Sequence, residues 1–193
     1  MDHSPLSRRL KNETGASIIG FGSADEARTT FMKELSSSLD LGGEEGIDKN
    51  LTLDEKVIDK QELVRNNYNI EVVHTPGHLS NHICLAVKEK KALFSGDHVM
   101  GWATTLISPP DGDLGSFMRS LEKLSERDEL IYYPGHGKPL REPKKMVLAQ
   151  IAHRQDREIQ ILSSISKNSK TPSEIVDDIY ICLLYTSPSP RDK

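Results

Sequence analysis

Three short turns, each following an apolar stretch, hold the side chains with which this sequence could do chemistry. The turns are HTPGH at 74–78, SGDH at 95–98 and PGHG at 134–137. A glycine in each turn allows the backbone to bend sharply and to approach a ligand closely. Imidazole and carboxylate groups are ligands that Zn²⁺ accepts in proteins. The side chains of His78, Asp97 and His136 are therefore predicted to bind a metal together.

Each turn alone is weak evidence for a metal site. A single histidine in a turn is usually solvated, and an aspartate after a glycine usually does no more than form the turn. The apolar stretches before the three turns are strand candidates, at Ile70–Val73, Ala92–Phe94 and Ile131–Tyr133. Three strands that each end in a candidate ligand indicate a site built on the loops at one edge of a sheet.

In this order and spacing, the turns closely resemble those of the metallo-β-lactamase superfamily of hydrolases. That family opens its metal site with the pattern H-x-H-x-D-H, and Asp2-His3 resembles the last two residues of it. The H-x-H half is absent here. The resemblance therefore implies a fragment whose first strands and first two ligands lie upstream of Met1.

The fold implied by the resemblance is α/β, a four-layer αββα sandwich that is incomplete at the N-terminus. The stretches at 101–105 (GWATT) and 153–158 (HRQDRE) are similar to one subgroup, which carries a C-terminal winged-helix extension and includes an endoribonuclease. The expected division is a partial metallo-β-lactamase domain at 1–142, a long helix and the start of the winged-helix extension at 143–180, and a non-native tail at 181–193.

The resemblance also implies a role for each candidate residue. Asp97 would bridge two metals, Asp2, His3 and His136 would complete the second metal site, and His78 would belong to the first. A complete site would hold two Zn²⁺ ions, whereas this chain is expected to hold one or none and to show little hydrolysis. Asp2 is the expected catalytic residue, because it would orient or deprotonate the attacking water. The remaining histidines are expected to be structural or to support the ligands: His74, His82, His98 and His153.

Two enzymatic interpretations remain open, with a third that is not enzymatic. The subgroup resemblance favours hydrolysis of RNA phosphodiester bonds by a metal-bound hydroxide, with single-stranded RNA as partner. The shared metal motifs alone would equally suit a thioester or ester hydrolase of the hydroxyacylglutathione-hydrolase kind. The third interpretation is an inactive fragment, because the H-x-H ligands are missing. Trp102 is interpreted as a core or lid aromatic in preference to a substrate-stacking residue.

Composition is that of an ordinary soluble protein. The 193 residues are 36% hydrophobic and 28% charged, with a formal net charge of −4. No apolar run approaches the roughly 20 residues of a membrane span, and no signal peptide follows Met1. A cytoplasmic location is therefore expected, or an organelle if a targeting segment lies upstream. Residues 138–170 hold eight Lys or Arg and three Asp or Glu, a local net charge of +5 that could attract a polyanion.

The elements that must position the turns can be predicted from local patterns. Strands are also expected at 16–19 and 57–64, and a loop is expected at 42–56. Helices are expected from Ser4-Pro5 to Gly15, from the Ser23–Glu26 capping box through Leu35, over 114–126, over 143–166, and after the capping box at Thr171–Glu174. The long helix at 143–166 is expected to bury Val147, Ile151, Ile161, Leu162 and Ile165.

Overall fold

The computed structural model describes residues 4–38, 51–166 and 168–180. The helices are α1 (Ser7–Thr14), α2 (Ala24–Ala27), α3 (Thr30–Ser38), α4 (Leu114–Ser125), α5 (Pro143–Ile165) and α6 (Pro172–Ile179). The strands are β1 (Ile19–Gly20), β2 (Glu55–Lys56), β3 (Glu62–Arg65), β4 (Tyr68–His74), β5 (Ile83–Val87), β6 (Ala92–Gly96) and β7 (Ile131–Pro134). The predictions for Asp2, His3, the tail at 181–193 and most of the 42–56 loop lie outside the described residues.

A five-stranded sheet in the order β3-β4-β5-β6-β7 carries all three turns singled out above. Strands β4 and β5 pair antiparallel, β5 and β6 pair antiparallel, and β6 and β7 pair parallel. Strands β4, β6 and β7 therefore run in one direction, and their carboxyl ends emerge at the same edge. This pairing is the reason that residues far apart in sequence meet at one place.

Apolar side chains hold a second, two-stranded sheet and helix α4 in place. Strands β1 and β2 pair parallel, and Ile19 packs against the buried cluster of Val57, Leu63 and Val72. Helix α4 buries one apolar face, formed by Phe117, Leu121 and Leu124. At its start, Asp113 caps the helix by accepting a hydrogen bond from the Ser116 amide.

Most helix predictions are confirmed, because they rest on local signals. Gly15 ends α1 in the left-handed conformation, at φ +72°. The capping boxes of α2 and α6 form with Ser23–Glu26 and Thr171–Glu174. Helix α1, however, begins at Ser7 rather than at Pro5, and its first amide bonds back to the Ser4 carbonyl at 3.0 Å.

The single helix predicted from the Ser23 capping box through Leu35 is wrong. Helix α2 ends at Ala27, and Arg28 leaves the helical conformation at ψ 144° before α3 begins at Thr30. The physical reason is a buried ion pair that Arg28 makes with a residue far along the chain. Phe31, in α3, is 65% exposed.

The predicted buried face of α5 is also largely wrong. Val147 is fully buried, but Ile161, Leu162 and Ile165 are 37%, 57% and 38% exposed. The chain divides into two compact units, Met1–Gln150 and Ile151–Lys193, and α5 runs through the division. The exposed residues all belong to the second unit, whose described part is only the rest of α5 and α6. The predicted domain boundaries themselves stay a prediction.

Cys84 on β5 is a buried free thiol. Burial raises the pKa of this thiol to about 12, although the Thr75 hydroxyl, 3.3 Å away, partly offsets the effect. The group is therefore an inert core residue at physiological pH. No helix in the described ranges has both the length and the apolar character needed to cross a bilayer.

Candidate metal centre

The carboxylate of Asp97 lies between the imidazoles of His78 and His136. One oxygen, Oδ2, is 3.7 Å from His78 Nε2, and the other, Oδ1, is 3.7 Å from His136 Nε2. The Asp97 side chain is 14% exposed, so the centre is shielded but still reached by solvent. Three of the five predicted ligands therefore converge, each from the end of a different strand. The other two, Asp2 and His3, lie outside the described residues.

The peptide backbone joins two of these turns directly. The amide of Gly135 donates to the carbonyl of Gly96 at 2.8 Å, next to the residues that carry the side chains. This bond extends the parallel pairing of β6 and β7 past a register irregularity between Phe94 and Gly96. The Asp97 and His136 side chains are thus held at a set separation by the sheet itself.

A carbonyl in the loop after β6 orients His78. Its Nδ1 lies 2.7 Å from the Leu106 carbonyl oxygen, and because a carbonyl can only accept, Nδ1 must carry the proton. In the neutral ring, the Nε2 lone pair then faces the Asp97 carboxylate. Ligating histidines usually make such a supporting bond with the other ring nitrogen. Sequence reasoning missed Leu106, and no residue pattern could have found it, because the partner is a backbone atom.

The donor types at this centre fit a cation. An imidazole nitrogen, His78 Nε2, and a carboxylate oxygen, Asp97 Oδ2, face each other across 3.7 Å, which is longer than a hydrogen bond. Both are atom types that bind zinc in proteins. Among the described residues, no group of three or more His, Cys, Asp or Glu side chains is close enough to hold an ion by itself. The ligand roles of His78, Asp97 and His136 stay predictions.

His82 joins the first turn to the second. Its Nδ1 lies 2.8 Å from the Thr75 hydroxyl, and its carbonyl accepts from the Thr75 amide at 3.0 Å. A Cβ on Gly96 would come within 2.5 Å of His82 Nε2, and Gly96 has φ +51°. Glycine is required there because the imidazole packs directly against the backbone that leads into Asp97.

His98 and His74 each pack against a phenylalanine ring. His98 is fully buried, 4.5 Å from the ring of Phe117 and 5.7 Å from that of His82. Burial lowers its pKa well below the usual range, so the ring is neutral. His74 stacks on Phe21 at 3.8 Å, and its Nε2 lies 2.9 Å from the Ser80 carbonyl. Burial also lowers the pKa of His74.

A buried ion pair fixes the loop that carries His78. The guanidinium of Arg28 donates to Asp111 Oδ1 at 3.1 Å, and the two side chains are 4% and 2% exposed. The same carboxylate accepts from the Ser80 hydroxyl at 2.7 Å and from the Ser80 amide at 3.2 Å. The Ser80 hydroxyl also lies 2.9 Å from the Ala24 carbonyl. Arg28, which follows α2, and Ser80, which follows the first turn, thus meet on one carboxylate in the loop before α4.

Replacing Asp111 with alanine is expected to destabilise the protein by about 3–5 kcal/mol, because it leaves the buried Arg28 guanidinium without its buried counterion. Urea unfolding followed by circular dichroism measures the cost. The matched control is Asp25→Asn, which removes a carboxylate 2.7 Å from the same arginine but one that is 84% exposed. The control should cost at most about 1 kcal/mol. Equal costs for the two variants would contradict a structural role for the buried pair.

Trp102 is not a core residue, contrary to one of the two predicted roles. Its side chain is 70% exposed. The edge of the indole lies over Gly137, where an added Cβ would come within 2.9 Å of Trp102 Cδ1. The ring therefore packs on the residue that directly follows His136 in the chain. A lid or substrate-contact position is compatible with this placement.

Comparison with known proteins agrees with the fold. The model of the metallo-beta-lactamase superfamily matches residues 1–136, and the chain belongs to this superfamily of hydrolases. A solved metallo-beta-lactamase family protein from Thermus thermophilus superposes with a TM-score of 0.72 at 21% identity, over 92% of this chain and 65% of that one. The predicted α/β sandwich fold is confirmed by this likeness.

Two groups of curated relatives are informative. A beta-lactamase-like protein 2 homolog of Drosophila melanogaster is 41% identical over 102 residues, which are 53% of this chain and 33% of that protein. An atrochrysone carboxyl ACP thioesterase of Aspergillus fumigatus is 31% identical over 121 residues, covering 63% of this chain and 37% of the enzyme. The chain thus spans about a third of the length of these relatives.

Proposed function

We propose that the whole protein hydrolyses phosphodiester bonds in single-stranded RNA and depends on zinc. The observation that carries this choice is the charge of the chain that follows His136. The segment of net charge +5 begins at residue 138, and its part in the same compact unit as His136, at 138–150, holds four Lys or Arg and one Glu, a net charge of +3. The chain as a whole has a net charge of −4. A cationic segment next to a hydrolytic centre favours a polyanionic substrate. The resemblance of residues 101–105 and 153–158 to the endoribonuclease-containing subgroup supports the same choice.

Different residues would bind the metal, orient a ligand and accept a proton at this centre. His78, Asp97 and His136 would hold zinc, with Asp2 and His3 as the further proposed ligands. Zinc, when bound, makes a coordinated water acidic enough to lose a proton near neutral pH. The Leu106 carbonyl keeps the His78 lone pair directed at the centre, and Asp2 is the proposed acceptor of the proton.

We also infer that residues 143–180 begin a winged-helix extension. The support is the pair of helices α5 and α6, with the Thr171–Glu174 capping box between them. A domain completed around these helices would cover the apolar side chains that α5 and α6 expose, which include Ile159, Leu162 and Val176.

Thioester hydrolysis is the second candidate function. The observation that favours it is the similarity to proteins named as acyl carrier protein thioesterases, at 28% to 33% identity across several fungi. The same centre suits either reaction, since a hydroxide can attack a carbonyl carbon as well as phosphorus.

A substrate comparison on the zinc-loaded whole protein tests the proposal. The substrates are a 5′-labelled single-stranded RNA, the same RNA in a duplex, and S-lactoylglutathione. We expect cleavage of the single strand, loss of cleavage with a chelator and recovery with added zinc. Rapid hydrolysis of the thioester with intact RNA would establish the second candidate instead. Hydrolysis of none of the three would favour a protein without catalytic activity.

A further inference from the structure

We propose that single-stranded RNA docks on a surface next to the metal centre, formed by Trp102, Lys138, Arg141 and Lys144. This surface is called the docking strip below. The inference rests on the proposed function for the identity of its occupant, and it assigns the binding of the RNA to particular residues. A base would stack on Trp102, and the three cations would contact the phosphates that follow.

Trp102 presents an exposed aromatic ring beside the turn that carries His136. It is 70% exposed, although large aromatic side chains normally gain from burial. Its indole edge packs on Gly137, so the ring is held from one side and open on the other. Gly137 has φ +92° and no room for a Cβ, so the contact depends on glycine at this position. The neighbouring residue along the chain is His136, whose Nε2 faces Asp97.

Three contacts fix the Trp102 loop against the segment that carries the cations. The Gln150 side-chain amide donates to the Met100 carbonyl at 3.0 Å. A Cβ on Gly101 would come within 2.5 Å of Leu140 Cδ2, and Trp102 meets Gly137 as described. All of these residues belong to the same compact unit. These contacts join the loop that carries Trp102 to the segment that carries the cations, within one compact unit.

The cations of the docking strip are not neutralised by nearby carboxylates. Lys138, Arg141 and Lys144 are exposed, and within the described part of the chain none of the three forms an ion pair. The adjacent Lys145 differs, because it lies 3.6 Å from Glu142. Elsewhere in the first unit, exposed lysines commonly have partners, such as Lys56 with Glu26 and Lys91 with Asp128. A run of cations without such partners, on an acidic protein, is a surface suited to an external polyanion.

The combination of an exposed aromatic ring with cations identifies a single strand as the occupant. Non-specific sites for single-stranded nucleic acid combine a cationic path for the phosphates with aromatic side chains that stack the bases. The phosphates of a duplex would also pair with the cations, but its bases would stay stacked on one another and would not be available to Trp102. An acidic carrier protein would satisfy the cations but would not offer a planar base at every phosphate, as a single strand does.

The chain contains one tryptophan, so its fluorescence reports on the docking strip alone. Titration of the 193-residue chain with a 12-nucleotide oligouridylate should quench this fluorescence to a plateau. Three phosphate contacts predict that log K falls with log salt at a slope of about −2. Lys138→Glu/Arg141→Glu should weaken binding by at least tenfold. The matched control, Lys33→Glu/Lys60→Glu, reverses two exposed lysines away from the strip and should change binding less than threefold.

Substitution of the ring itself separates stacking from charge. Trp102→Leu should weaken binding of a labelled oligouridylate, measured by anisotropy, by about tenfold, since stacking contributes roughly 1–3 kcal/mol per base. Trp102→Phe should recover part of the loss.

Three results would overturn the docking strip: no quenching by the oligouridylate, equal losses in the strip and control variants, or quenching by poly-L-glutamate as strong as that by RNA. The last would identify the surface as a site for an acidic protein. Binding measured without cleavage distinguishes this inference from the proposed function. If RNA binds at the strip but the whole protein does not cleave it, only the proposed function is overturned. If the whole protein cleaves RNA and the strip variants change neither binding nor cleavage, only the docking strip is overturned.

Discussion

Replacing Asp97 with asparagine is expected to reduce RNA hydrolysis by the whole protein by about 10³-fold or more, equivalent to about 4 kcal/mol of transition-state stabilisation. The change keeps the shape of the side chain but removes its negative charge. In the structure this carboxylate presents one oxygen to His78 and the other to His136, each at 3.7 Å. A neutral amide cannot serve as an anionic ligand to both sides. Zinc content after dialysis, measured by mass spectrometry, should fall together with activity.

The control for this variant is Asp128→Asn. Asp128 has a side chain that is 85% exposed and pairs with Lys91 on the surface, so its loss should leave both zinc content and hydrolysis unchanged. A loss of hydrolysis in the Asp97 variant would also show that the activity comes from this protein and not from a contaminating ribonuclease. If Asp97→Asn keeps its zinc and cleaves RNA at the original rate, the Asp97 centre is not the site of reaction.

The turns of the candidate site could be predicted because each one is a local signal. Glycine next to a histidine or aspartate after an apolar run indicates a strand end and a candidate ligand together. The family resemblance then predicted that His78, Asp97 and His136 would meet. The pairing that brings them together, with β4, β6 and β7 running in one direction, is not encoded in any single stretch of sequence.

The groups that hold the centre in place could not be predicted from local patterns. Arg28 and Asp111 are 83 residues apart, and sequence spacing offers no reason to pair one arginine with one aspartate among many. Their pairing also explains why the predicted helix after Ser23 breaks. The local helical pattern through Phe31 and Leu35 is genuine, but a buried ion pair outweighs the propensity of one residue to stay helical.

The long helix α5 shows the opposite case, in which a pattern was interpreted too simply. Its bounds follow from Pro143 and from the polar residues after Ile165, and they are confirmed. Apolar spacing predicted a buried face along its whole length, yet Leu162 is 57% exposed. Periodicity shows which residues share a face of a helix. It does not show whether another element covers that face.

The backbone at Gly77 should tolerate no side chain, so Gly77→Ala is expected to destabilise the protein by about 3–5 kcal/mol or to prevent folding. Gly77 has φ +142°, a conformation that is costly for any residue with a Cβ, and the strain alone contributes roughly 1–3 kcal/mol. An added Cβ would also lie 2.3 Å from the Phe117 Cα and 2.6 Å from the Phe117 amide nitrogen.

Helix α4 could relieve this overlap only by moving its backbone, because the added Cβ would meet the Phe117 Cα and amide nitrogen and not the end of a flexible side chain. Such a movement would cost free energy. The Asp113 amide donates to the Gly77 carbonyl at 2.9 Å, and the Ser120 hydroxyl donates to the Pro76 carbonyl at 2.8 Å. The turn that carries His78 is therefore bonded to the helix along its first two turns. Overpacking of this kind adds about 1–3 kcal/mol to the backbone strain.

Gly15→Ala is the matched control, because it separates backbone strain from overlap. Gly15 also has a positive φ, +72°, but a Cβ there would meet nothing within 4 Å. That variant should cost about 1–2 kcal/mol, the penalty of the left-handed conformation alone. Urea unfolding of the two variants and the parent chain gives the comparison. Equal costs at the two positions would mean that α4 moves aside without penalty, and the close contact between the His78 turn and α4 would then not be a source of rigidity in the centre.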